Sequence, residues 1–190
     1  MTNEEITRIA RKLRNAHQTT SPEVLCRYLD ILIDYFPMGK GPDAMKGLIT
    51  RSSRCCVITI NSDLPKRAQT IVLFHEIGHY VLNHHQKKQV FAFQDFAVFD
   101  AASVFEDEAN RFIAEYLLDN DRTLEALRES NDFFQAAALL EVPKEILDYK
   151  MRMLKYYKLL NPEFAECPVY SKRNFMGTID CSGIENSDYA

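Results

Sequence analysis

A chain of 190 residues, 46% of them hydrophobic, can bury one sizeable core and contains nothing that calls for two independent ones. A formal net charge of −4 argues against a large nucleic-acid surface, no apolar run approaches the length of a membrane span, and the opening Met1-Thr2-Asn3-Glu4-Glu5 is a poor signal-peptide start, so a soluble cytosolic protein is expected. The five cysteines, Cys26, Cys55, Cys56, Cys167 and Cys181, are odd in number and lack C-x-x-C spacing, which points to buried thiols rather than a disulfide framework or a cysteine zinc knuckle.

Residues 3–17 carry Ile6, Ile9, Ala10 and Leu13 at helical spacing with charges between them, the pattern of an amphipathic helix. Thr20-Ser21-Pro22-Glu23 reads as an N-cap followed by proline at the first helical position, opening a short helix to about Tyr28. The β-prone run 31–36 stops at Pro37, and Gly39 with Gly41-Pro42 marks a loop. Segments 46–49 and 55–60 are apolar and β-branched, and their spacing predicts a hairpin leading into the next helix. The exposed edge of such a sheet can receive an extended peptide strand through main-chain hydrogen bonds, which makes this hairpin either a cradle for a peptide substrate or an ordinary structural element.

The next helix spans 64–82, with Pro65 in its first turn, Asn61, Ser62 or Asp63 to cap it, and apolar residues at Ile71, Val72, Phe74, Ile77, Val81 and Leu82 that suit burial. Inside it stands His75-Glu76-Ile77-Gly78-His79, an H-E-x-x-H motif among uncharged neighbours. Positions i and i+4 lie about 40° apart around a helix axis, so His75 and His79 aim at one ion. Glu76, about 100° round from His75, is placed to reach a water held there rather than to ligate. Gly78 costs roughly 1 kcal/mol against alanine in a helix interior, a cost best tolerated where another backbone or a substrate must come close.

The stretch Asn83-His84-His85-Gln86-Lys87-Lys88 reads as a solvated helix end. The Phe-rich segment 90–99 is expected as a loop that packs on the core or walls the cleft. A long helix follows over 102–118, with Val104, Phe105, Ala109, Phe112, Ile113, Tyr116 and Leu117 on its apolar side. Glu106 falls near that side and can supply the third protein ligand that a two-histidine zinc site lacks; Asn110, one turn on, can hydrogen-bond a ligand imidazole. Ser103-x-x-Glu106 also spells a capping box, in which case Glu108 or Asp107 is the substitute ligand. His85, six residues after His79, has the third-histidine spacing of metzincins but lacks the glycine that arrangement needs at Leu82. Further helices are expected over 122–128, 132–140 and 144–157. The last two resemble a helix-turn-helix, but Glu141, Glu145 and Asp148 offset the lysines and arginines, favouring core packing or partner docking over groove reading. The tail after Asn161-Pro162 is polar with short apolar pieces.

The H-E-I-G-H motif, followed by Glu106-Asp107-Glu108-Ala109-Asn110-Arg111-Phe112-Ile113-Ala114-Glu115-Tyr116-Leu117-Leu118, resembles the ImmA/IrrE metallopeptidases, whose pattern is H-E-L-G-H and then E-x-E-A-N-x-F-A-x-x-L-L. The likeness spans roughly residues 20–158. It implies one zinc ion held by His75, His79 and Glu106, with Glu76 as catalytic acid/base, and a role in cleaving helix-turn-helix repressors of mobile elements, phage or stress responses. The sequence departs from the pattern at Ile113, in lacking Met-Pro after Leu118, and in the Phe-rich segment; these departures bear on specificity rather than on metal chemistry.

The expected fold is α+β and zincin-like: a small sheet packed on the H-E-x-x-H helix and a second ligand-bearing helix. The expected organisation is a peptidase core over 1–120, a helical subdomain over 121–160 and a tail over 161–190. Tyr80, His84, His85 and Tyr116 are the candidates for donating to the oxyanion or for holding a ligand side chain in place. The expected partner is a protein substrate, with neither direct nucleic-acid binding nor membrane association. Two other readings stand beside this one: a zinc-bound regulator that binds its repressor without cutting it, and a DNA-associated module built on 132–158.

Overall fold

The computed structural model describes residues 1–41, 43–51, 55–84, 92–95, 104–130 and 132–160, the stretch 92–95 by its backbone. Helix α1 (Asn3–His17) begins on a capping box between Thr2 and Glu5 and buries Ile6 and Ala10. Ser21 caps α2 (Pro22–Tyr28) by accepting from Val24 N at 3.3 Å, with Pro22 in the first turn.

Strand β1 (Ile31–Phe36) ends at Pro37, and β2 (Gly47–Arg51) pairs antiparallel with β3 (Cys56–Asn61), from Gly47↔Ile60 to Arg51↔Cys56. That is the expected hairpin. β1 lies parallel to β3 on its other edge, from Ile31↔Cys56 to Phe36↔Asn61. A fourth strand, β4 (Ala92–Asp95), adds antiparallel to β2 and completes the order β1-β3-β2-β4. The expectation of a loop across the Phe-rich segment is therefore corrected at Ala92–Asp95. The outer edge of β2 offers a row of unpaired backbone groups, and an extended segment satisfies them. The hairpin edge expected to receive a substrate strand is filled by the chain itself; the rest of 90–99 lies outside the described residues.

Helix α3 (Lys66–Val81) packs against β2 and β3 and is buried almost all round from Ala68 to His79. Its N-cap is Pro65, with no side-chain hydrogen bond, so none of Asn61, Ser62 and Asp63 serves as the cap. The fully buried Asn61 ties down the preceding loop instead: its Nδ2 donates to Gly39 O and Met45 O at 2.8 Å, and its Oδ1 accepts from Met38 N at 3.1 Å. Helix α4 (Val104–Leu117) crosses α3 at Gly78, where an added Cβ would stand 3.2 Å from Phe112 Cδ1 and 3.4 Å from Ala109 O. The glycine lets two helix backbones approach, and this approach sets the site geometry.

Helices α5 (Asn120–Glu129), α6 (Phe133–Leu139) and α7 (Lys144–Tyr156) follow. α7 packs on α4, and Lys150 Nζ donates to Glu115 Oε1 at 2.8 Å with both side chains 1% exposed. Arg152 pairs with Asp148 one turn before it. The basic residues of α7 are thus partly consumed inside the protein, as core packing requires. Burial pushes the thiols of Cys26 and Cys56 up to about 12 and about 11, while Cys55 is exposed. Cys167, Cys181 and the whole tail fall outside the described residues. Among the described residues no helix is long and apolar enough to cross a membrane. The chain is a mixed α+β structure.

Candidate metal centre

Two helices bring three donor atoms to one point. His75 Nε2 and His79 Nε2 lie 2.9 Å apart, one turn from each other on α3. From the first turn of α4, Glu106 Oε2 comes within 3.0 Å of the first and 3.4 Å of the second. All three residues are buried. Ligands about 2.1 Å from one zinc at tetrahedral angles stand about 3.4 Å from each other, close to the spacing found here. Two imidazole lone pairs and a carboxylate directed at a common point repel one another unless positive charge lies between them, and an N,N,O donor set suits zinc. The residues present fit the ion.

The far side of each imidazole is held as well. His75 Nδ1 faces Asn110 Oδ1 at 3.0 Å, and Asn110 Nδ2 donates to the hydroxyl of Tyr149 on α7 at 3.5 Å. Tyr149 is 1% exposed, and burial above all pushes its phenol up to about 12. His79 Nδ1 faces His84 Nδ1 at 2.8 Å, and His84 Nε2 meets Glu108 Oε2 at 2.9 Å. Burial raises the pKa of Glu108, but its contacts with the Met1 amino group and His84 outweigh that and hold it below the ordinary carboxylate value.

His84 is fully buried, so the expectation of a solvated helix end after Leu82 is corrected at this residue. The cause is Asn83, whose φ of 58° is left-handed. It ends the helical path and turns His84 back onto His79. Both ring nitrogens of His84 face partners behind the donor triangle. Glu106 is the carboxylate that joins the histidines; Glu108 holds His84, and Asp107 pairs with Arg111. Tyr116 donates to Thr19 O at 2.8 Å, tying α4 to the segment between α1 and α2. The ring of Tyr80 has the Arg51 guanidinium carbon 6.0 Å from its centre. His85 and Ser103 lie outside the described residues.

Glu76, next in sequence to His75 on α3, is fully buried against β2. A Cβ added at Gly47 would stand 2.6 Å from Val72 Cγ1 and 2.8 Å from Glu76 Oε1, so any larger residue there would force Val72 or Glu76 to move. Gly47 and Tyr149 are the contributors that the sequence reading missed. Gly47 opens β2, and a glycine in a strand is a recognisable sign of close approach; nothing in the sequence marks Tyr149 out among the nine tyrosines.

No curated protein matches the chain. The model of a peptidase family described as the IrrE N-terminal-like domain matches residues 26–152, a span that takes in the hairpin, the H-E-x-x-H helix, α4 and most of α7. With well over half of its length matched, and with His75, His79 and Glu106 converging inside the matched span, this chain belongs to the IrrE N-terminal-like family of metallopeptidase-type domains.

Proposed function

We propose that the protein is a zinc-dependent endopeptidase acting in the cytoplasm, and that its substrate is a helix-turn-helix repressor of a mobile element, phage or stress response. The observation that carries the reading is the convergence of His75 Nε2, His79 Nε2 and Glu106 Oε2, with Glu76, next in sequence to His75, buried against β2, within a family of peptidases. His75, His79 and Glu106 would hold one zinc, and Glu76, next in sequence to a ligand and turned towards β2, would work on the water.

A bound zinc supplies Lewis acidity, lowering the pKa of water towards about 7 and polarising the scissile carbonyl. Glu76 takes a proton from the attacking water as the new C–O bond forms. It then returns that proton to the departing amine as the C–N bond breaks. Glu76 ends the cycle ionised, as it began. The bare α-carbon of Gly47 leaves room for that carboxylate, and positioning of a reacting group accounts for much of the advantage over free solution.

The test is zinc content together with cleavage, in cells, of the repressor encoded nearest this gene, comparing the wild type with Glu76→Gln. Equal zinc in both proteins and cleavage only by the wild type supports the whole reading. Equal zinc with equal effects on the repressor means that the protein acts by binding, and the catalytic assignment fails. Zinc in neither removes the metal site itself.

A further inference from the structure

The two histidines that reach the donor triangle are braced differently. His75 rests on a neutral amide, Asn110, whereas His79 rests on a second imidazole backed by a carboxylate: His79 Nδ1 to His84 Nδ1 at 2.8 Å, then His84 Nε2 to Glu108 Oε2 at 2.9 Å. His79 and His84 are fully buried and Glu108 is 3% exposed. The rings of His79 and His84 meet edge to face at 71°, and Phe105 covers His84 from 4.9 Å.

This geometry fixes the protons. If His79 offers Nε2 to an ion, its single proton sits on Nδ1 and must be donated. The atom facing it is His84 Nδ1, which accepts only if the proton of His84 is on Nε2. That proton points at an oxygen of Glu108, which accepts it as a carboxylate. One arrangement of two protons therefore satisfies every partner in the row with both histidines neutral. The reverse arrangement places a proton on His79 Nε2, where it would confront His75 Nε2 and the ion.

We propose that His84 and Glu108 are positioning residues for the metal centre, a relay that holds His79 in the tautomer and orientation of a ligand. The proposal rests on the reading of His75, His79 and Glu106 as a metal site. It assigns to His84 and Glu108 a function distinct from that of an oxyanion donor or a third ligand. Outer partners of ligand histidines commonly change metal affinity by about 10–100-fold when removed.

The test measures zinc affinity by competition with a chelator, and the visible absorption spectrum of the cobalt(II) protein, for wild type, His84→Leu, His84→Gln and Glu108→Gln. Leucine fills the space without a polar atom, whereas glutamine accepts from His79 through its amide oxygen and donates to Glu108 through its amide nitrogen. His84→Leu should weaken zinc binding by about tenfold or more and change the cobalt spectrum, and His84→Gln should recover most of both. Glu108→Gln, nearly isosteric, reads the relay from its far end if His84→Leu does not fold, and should weaken zinc less than His84→Leu does. Metal-free melting curves separate a folding defect from a ligand defect. A wild type that binds zinc alongside a folded His84→Leu protein that binds it as tightly overturns the relay and leaves the metal site standing. Glu108→Gln with wild-type affinity and spectrum also overturns it. His84→Gln no better than His84→Leu, with equal loss of metal-free stability, reduces His84 to a packing residue. A wild type without zinc affinity overturns the metal-site reading, and the relay with it.

Discussion

The α-carbon of Gly47 on β2 faces the carboxylate of Glu76 on α3, so closely that a methyl group in place of its hydrogen would stand 2.8 Å from Oε1 and 2.6 Å from Val72 Cγ1. Sheet and helix thus meet at the proposed acid/base, and the contact depends on the absence of a side chain. Gly47→Ala should shift Glu76 or push α3 off β2. Overpacking of this kind costs about 1–3 kcal/mol, and displacing a reacting group by a fraction of its working distance costs up to about a hundredfold in rate. Where Glu76 alone shifts, zinc content should stay at the wild-type level, because His75, His79 and Glu106 are not among the side chains that the new methyl group meets; a loss of zinc would mean that α3 has moved. Peptidase assays with metal analysis check this; a fully active Gly47→Ala protein would show that Glu76 needs no such clearance.

Asn110 offers Oδ1 to His75 Nδ1 at 3.0 Å, and a leucine there would leave that imidazole N–H buried without its acceptor. Asn110→Leu should lower zinc affinity by about tenfold. Tyr149→Phe should do much less, because the 3.5 Å contact between Asn110 Nδ2 and the phenol is long for a hydrogen bond. Chelator competition on the two variants gives the comparison directly, and equal losses would mean that Tyr149 also orients the amide.

The local part of the site was legible in the sequence. His75, Glu76 and His79 follow from helical spacing within one turn and a half, and Glu106 with Asn110 from the same periodicity on the next ligand-bearing helix. The contributions that escaped are set by tertiary contacts. Gly47 meets Glu76 only once β2 is laid against α3, and Tyr149 reaches Asn110 only through the packing of α7 on α4. His84 stands among the candidates for oxyanion or ligand support, but its neighbours Gln86, Lys87 and Lys88 point to a solvated helix end. One left-handed residue, Asn83, sends it inward, and asparagine just past a helix is the local sign of such a turn. β4 was hidden because its pairing partner, β2, lies more than forty residues earlier.

Lys150 and Glu115 form an ion pair with both side chains 1% exposed, 2.8 Å apart, and Arg11 Nε lies 3.6 Å from the other Glu115 oxygen. Burial lowers the pKa of Lys150, and Glu115 opposes that shift. Removing one partner strands the other charge in the core, at a cost of about 3–5 kcal/mol. Lys150→Ala should therefore lower stability strongly, while the double variant Lys150→Met with Glu115→Leu should recover much of the loss. Denaturant unfolding of the single and double variants decides it. A mild single variant would mean that Arg11 alone neutralises Glu115.

Asp119 caps α5, its side chain accepting from Asp121 N at 2.9 Å. Partial burial raises its pKa, but the hydrogen bonds from the Asp121 and Arg122 backbone, aided by Arg14, prevail and leave it below the ordinary aspartate value. A carboxyl whose folded pKa lies below its unfolded one adds stability that is fully present above the unfolded value, about 3.9, and that disappears as pH falls through the folded value. Asp119→Ala should cost about 1 kcal/mol at neutral pH, the usual worth of an N-cap. The difference from wild type should narrow below about pH 4, as the cap protonates. Urea unfolding of both proteins at neutral and acid pH tests the sign. A difference that stays constant into acid would assign the loss to packing at Asp119 rather than to its charge.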